Sequence, residues 1–81
     1  MWRDKVMLKD GEELRLERSS SKGFMSEEDI NEYVVLDVQG SVVGKVVHTD
    51  HMAVKGFRRT QSVRQIDADG RVLVDERWTC D

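Results

Sequence analysis

The sequence predicts a mainly β domain. The expected form is a small antiparallel barrel or sandwich of about six strands in three hairpins, of the SH3-like small-barrel type, with one short helix near residues 26–32. Three observations predict it. Twelve valines stand against two alanines, and β-branched side chains suit a pleated, half-buried surface. The valines are densest in Tyr33–Thr49, YVVLDVQGSVVGKVVHT, broken once by Gln39-Gly40. Three glycine-ended turns, Lys9-Asp10-Gly11, Val38-Gln39-Gly40 and Ala68-Asp69-Gly70, recur about thirty residues apart, a spacing at which repeated units come into question.

In chain order, Asp4–Arg18 reads as a first hairpin. A loop at Lys9-Asp10-Gly11 pairs Val6 with Leu14 and Leu8 with Glu12, and sets Val6, Leu8, Leu14 and Leu16 on one face. Trp2 has the same parity as Val6 and caps that face. Ser19–Phe24, SSSKGF, is a loop by composition. Ser26-Glu27-Glu28-Asp29 then reads as a helix start, with Ser26 as the cap and the acids at the positive end of the helix dipole. Met25 and Ile30 are its core contacts, and it ends before Tyr33.

The central hairpin follows. Val34, Leu36 and Val38 alternate with Tyr33, Val35 and Asp37, and Gly40 lets the chain reverse. The return strand, Val42–His48, is valine-rich on both faces, as an interior strand is. Gly44 within it marks either a bulge or bend, or a weak spot in an ordinary strand. Asp37–Val47, DVQGSVVGKVV, resembles the opening hairpin of PRC-barrel domains, which implies a hairpin at that place. Arg58–Trp78 is the third hairpin, turning at Ala68-Asp69-Gly70. Val63, Ile66, Val72, Leu73 and Val74 supply its apolar contacts, although neither parity gives a clean face. Leu36–Val43 (LDVQGSVV) and Ile66–Leu73 (IDADGRVL) match in residue class at several positions, which reads as one hairpin chemistry used twice. Lys-Gly-Phe also occurs twice, at Lys22–Phe24 and Lys55–Phe57.

Residues 1–81 make one small domain with a small core. Cys80 is the only cysteine, so no internal disulfide forms, and a reducing, cytoplasmic setting is expected. No apolar leader opens the chain and no run is long enough for a membrane helix. The net charge of −3 argues against a dedicated duplex DNA binder. It conceals an asymmetry: Asp10–Glu32 holds eight acids and three bases, while Lys55–Ile66 holds four bases and no acid.

Three sites follow from these patterns. Lys55, Phe57, Arg58, Arg59 and Arg64 form a basic run with one aromatic, the set with which single-stranded nucleic acid is held through phosphate contact and base stacking. His48, Asp50 and His51, in HTDH, are a sufficient ligand set for zinc or another divalent ion if a turn at Asp50 brings His51 back; in a continuing strand His48 and Asp50 point one way and His51 the other. Val35, Val43 and Val47 fall on the second face of the central hairpin and would form an interface if uncovered. No nucleophile elbow, phosphate loop or dinucleotide fingerprint is present, and no cofactor is implied. The leading expectation is a non-enzymatic module that binds protein, self-association included. A nucleic-acid-binding small barrel comes second and a divalent-metal site third.

Overall fold

The computed structural model describes residues 2–22, 28–52 and 59–80. A single 3-10 turn, Trp2–Lys5, opens the chain. Five strands follow: β1 (Glu13–Lys22), β2 (Glu28–Leu36), β3 (Val42–Met52), β4 (Arg59–Asp67) and β5 (Val72–Cys80). They form one antiparallel sheet in chain order, so β1 and β5 are its two edges and the sheet is not closed. No helix among the described residues is long and apolar enough to cross a membrane.

The central hairpin forms as the valine run predicts, with β2 and β3 paired from Leu36–Val42 out to Glu28–His51. The third hairpin forms as β4 and β5. The first does not. The segment before Gly11 makes no strand, and β1 instead pairs with β2, Leu14 opposite Val35 rather than Val6. Among the described residues, five strands therefore stand where six were expected. Ser19–Lys22, expected as a loop, is strand. The helix expected at 26–32 is also replaced: Glu28–Glu32 is the start of β2, while residues 26 and 27 lie outside the described residues. Main-chain pairing on both sides outweighs the helix-start signature, and short polar side chains join the ladder. Ser19 Oγ donates to Asn31 Oδ1 at 2.8 Å, and Ser21 Oγ to Asp29 Oδ1 at 2.8 Å.

The two matching octapeptides are one structure built twice. In the first, Gly40 N–H donates to Asp37 O and Asp37 N–H to Ser41 O, each at 3.0 Å. The Asp37 carboxylate accepts from the N–H groups of Gln39 and Ser41, both at 2.9 Å. In the second, Asp67, Asp69, Gly70 and Arg71 repeat every one of these bonds, at 2.8–3.0 Å. Gly40 and Gly70 hold φ of 81° and 86°, a conformation side chains resist. Each turn is followed by a bulge at the equivalent place. Val43 is skipped between the pairs Leu36–Val42 and Val35–Gly44, and Leu73 between Ile66–Val72 and Gln65–Val74.

These bulges decide the faces. A bulge shifts strand parity by one residue, so the apolar positions of β5 cannot be read by simple alternation. On the first face, directly paired residues form rows across the sheet: Tyr33, Val46, Gln65, Val74; then Asn31, His48, Val63, Glu76; then Asp29, Asp50, Gln61, Trp78. The core lies here, made of Val35, Val46, Val63 and Val74, with Trp2, Val6, Leu14, Tyr33, Val43 and Trp78 packed against it. Val35 and Val43 thus belong to the core and do not share an outer face with Val47. The second face also buries Val34 and Leu36. Val38, expected to alternate with them, sits in the turn and is 77% exposed.

The N-terminal segment lies across the first face. Trp2 packs on the core from a 3-10 turn rather than by strand parity, and Gln65 fastens the segment further along. Met7 N–H donates to Gln65 Oε1 at 2.8 Å, and Gln65 Nε2 donates to Met7 O at 2.7 Å. Gly44 permits the close approach of β3 and β4 beside the bulge, since a Cβ there would stand 2.7 Å from Ile66 O.

Two sets of substitutions test this account by urea unfolding. Gly44→Ala presses a methyl group on main chain that cannot yield cheaply, and costs about 1–3 kcal/mol. Asp37→Ala and Asp67→Ala each lose two side-chain bonds to turn N–H groups, costing about 1 kcal/mol apiece and by similar amounts. A large effect at one turn and none at the other would contradict the equivalence of the two hairpins.

Candidate functional site

Below the valine core the first face becomes polar, and the residues that carry chemistry gather there. β3 runs unbroken through Met52, so its side chains alternate. His48 and Asp50 project from the first face. His51 projects from the second, where it is exposed and paired in register with Glu28 and Thr60. The turn at Asp50 that would bring the two histidines together does not form. Among the described residues no group of three His, Cys, Asp or Glu side chains is placed to hold a metal ion.

Asp50 has another partner. Arg59, its diagonal neighbour on β4, donates Nε to Oδ1 at 2.9 Å and to Oδ2 at 3.0 Å, and its Nη2 also bonds Oδ2. This fork-like pairing suits a guanidinium on a carboxylate. The Arg59 hydrogen bond holds the Asp50 carboxyl below the ordinary carboxylate value of 3.8, against the opposing effect of partial burial. The positive charge of Arg59 adds to the lowering.

His48 is 7% exposed. Its ring lies flat against the indole of Trp2, with centroids 4.6 Å apart and planes 11° apart. Trp2 also meets Tyr33 at 5.1 Å, and the Arg3 guanidinium lies over both rings at 5.2 and 5.6 Å. The Nε2 of His48 faces Gln61 Oε1 at 3.0 Å. With that oxygen as acceptor, Nε2 carries the proton and Nδ1 is a bare acceptor; it is buried and has no partner. Further along, Lys5 reaches β5, its Nζ 3.9 Å from Glu76 and 5.0 Å from the Trp78 ring centroid.

The basic run is not assembled in the same way. Lys55, Phe57 and Arg58 lie outside the described residues. Arg59 and Arg64 are five positions apart on β4 with no bulge between them, so they project from opposite faces. Arg59 turns to Asp50, and Arg64 is exposed on the second face, opposite Val47 and Asp75. β3 also separates β2 from β4, so the acidic and basic segments are not neighbours in the sheet.

At the turn end of the molecule an apolar cleft of about 650 Å³ opens between the N-terminal segment and the sheet, walled by Val6, Met7, Leu8, Val43, Ile66 and Leu73. Lys9, Glu12 and Asp67 also line it. Sequence reasoning did not single out Gln65 or Tyr33. The available signal for Gln65 was its parity with Val63, which places an amide in an apolar row.

No family model, curated protein or solved structure matches this chain.

The Asp50–Arg59 pair gives a pH dependence with a defined sign. A folded-state pKa held down contributes stability that is complete above 3.8 and is lost as pH falls through the folded value. Asp50→Asn is therefore less stable than the unaltered chain at neutral pH, and the gap closes in acid. Urea unfolding at several pH values measures it; a gap of constant size from neutral pH to well below the carboxylate range would contradict the pairing.

Proposed function

We propose that this chain is a small non-enzymatic binding module whose contacts are with protein, copies of itself included. One observation carries the reading: apolar side chains gather, uncovered, at one end of the sheet. Met7 is 60% exposed, Leu8 43%, Leu73 41%, Val42 55%, Val72 44% and Val38 77%. The topology brings them together, because the β2–β3 and β4–β5 turns lie at the same end and the Lys9–Glu12 turn joins them. A Cβ on Gly11 would collide with the Val38 side chain, which shows how closely that turn sits against the Asp37–Ser41 turn. Scattered apolar side chains are ordinary on a protein surface, but several at one end of the sheet, with Met7, Leu8 and Leu73 beside a cleft, mark an interaction surface.

The open edges support the same use. Among the described residues, β1 and β5, of ten and nine residues, have no neighbouring strand on one side. Unpaired main-chain groups there are available to another strand. The charged side chains of both edges, with an irregularity after Leu16 and the Leu73 bulge, make long pairing less favourable, so the apolar end is the preferred contact.

Mass in solution by light scattering, under reducing conditions and at two salt concentrations, tests the reading. The unaltered chain forms a species larger than the monomer at raised concentration. Salt leaves it in place, because apolar contact is not screened. Leu73→Asp and Val42→Asp return it to monomer. A monomer at all concentrations, or an assembly indifferent to both substitutions, would remove the apolar end as the contact.

A further inference from the structure

Resting on the reading of this chain as a protein-binding module, we infer that the groove on the first face, filled here by residues 2–9, is a peptide site. Its ligand is a segment of a partner protein that offers an aromatic ring to Tyr33 and His48, a basic residue three positions later to Glu76, and the free main-chain N–H and C=O of one residue to Gln65.

The chain's own N-terminal segment shows which chemistry fits. Trp2 supplies the ring, stacked on His48 and tilted against Tyr33. Lys5 supplies the cation, near Glu76 and over Trp78. Met7 supplies a main-chain N–H and C=O, both of which are bonded by the Gln65 amide. That last contact reads main chain only. It is the reciprocal bonding a neighbouring strand would make, and it is indifferent to the side chain carried there. The groove therefore recognises a pattern, and residues 2–9 are one instance of it.

Two features show that this occupant is replaceable. Its grip is partial: Arg3, Met7 and Leu8 are exposed, and the Lys5–Glu76 pair is open to solvent on both sides. It also leaves the groove incompletely satisfied. The Nδ1 of His48, on a ring 7% exposed, has no hydrogen-bond partner while Trp2 covers that ring. A buried acceptor left unmade is unfavourable, so an incoming segment with an O–H or N–H donor at that point gains a bond that Trp2 does not provide. The cleft beside Met7 and Leu8 gives such a segment room to continue past Gln65.

The internal segment has one advantage. Its short tether, the Lys9–Glu12 turn, holds it at an effective concentration on the order of millimolar. A partner is thus admitted only when its fit exceeds that of the tethered segment, which makes residues 2–9 an intramolecular competitor.

The test is a fluorescein-labelled peptide of residues 2–9 added in trans to the full chain and followed by anisotropy. The peptide binds Trp2→Ala at least tenfold more tightly than it binds the unaltered chain, because the tethered competitor is weakened. Adding Gln65→Ala to Trp2→Ala lowers the affinity at least tenfold again. Equal binding to the unaltered and Trp2→Ala chains, or no loss with Gln65→Ala, would overturn the proposal. Circular dichroism establishes that each variant is folded. Lys5→Glu, which loosens the segment without removing Trp2, replaces Trp2→Ala if that variant unfolds. Light scattering on the same samples separates the two readings. A chain that self-associates through its apolar end but takes no peptide overturns the groove while leaving the binding module standing.

Discussion

Gln65 is 2% exposed, and both ends of its amide are bonded to the main chain of Met7, fifty-eight residues away in sequence. This fastening holds the cover of the core in place. Among the described residues no second layer covers the apolar face of the five-stranded sheet, and four buried valines make a small core. Domains bury such a face against another element. Here that element is the N-terminal segment, which has one short turn and no strand. Trp2 and Val6 provide apolar cover, and Gln65 satisfies the main-chain groups that regular structure would otherwise have paired. Without it the Met7 N–H and C=O would have no partner on the sheet.

The sheet receives this segment because its strands are bent at fixed points. The turns at Asp37 and Asp67 and the bulges at Val43 and Leu73 recur at the same offset, so the two hairpins are related by shape as well as by sequence. Each bulge sits one residue before a first-face residue, Gly44 or Val74. The close approach at Gly44 lets β3 meet β4 without a side chain between them. Polar groups then take over along the same face: His48, Gln61, and the Asp50–Arg59 pair. Apolar cover thus ends where hydrogen-bonding groups begin, at the ring of Trp2.

The legible parts of the fold were those written in valine and glycine. Tyr33–Thr49 gave its hairpin through β-branched residues flanking Gly40, and Ala68-Asp69-Gly70 marked the third turn. The unread parts have physical reasons. Ser19–Lys22 and Glu28–Glu32 are strands made of loop and helix-start residues; pairing across the ladder, which residue type does not display, decides their conformation. Val6 and Leu8 carry the alternation of a strand, but Gln65 claims the main chain between them. The faces of β5 were unreadable because Leu73 is skipped, which moves Val74 to the core and Val72 to the other side. For the sites, the alternation of β3 was correctly weighed: His48 and Asp50 share a face, and His51 does not. The partners that define the face, Trp2 for His48 and Arg59 for Asp50, follow from tertiary contact and strand register, which one sequence does not display.

The most direct test of this account is amide hydrogen exchange at Met7, followed by NMR in the unaltered chain and in Gln65→Ala. If Gln65 fastens the segment, the Met7 amide is protected in the unaltered chain and exchanges freely in the variant, while the amides of Val46 and Val63 stay slow in both. A Met7 amide that exchanges at the rate of an open chain in the unaltered protein would contradict the account, because the segment would then not be held on the sheet.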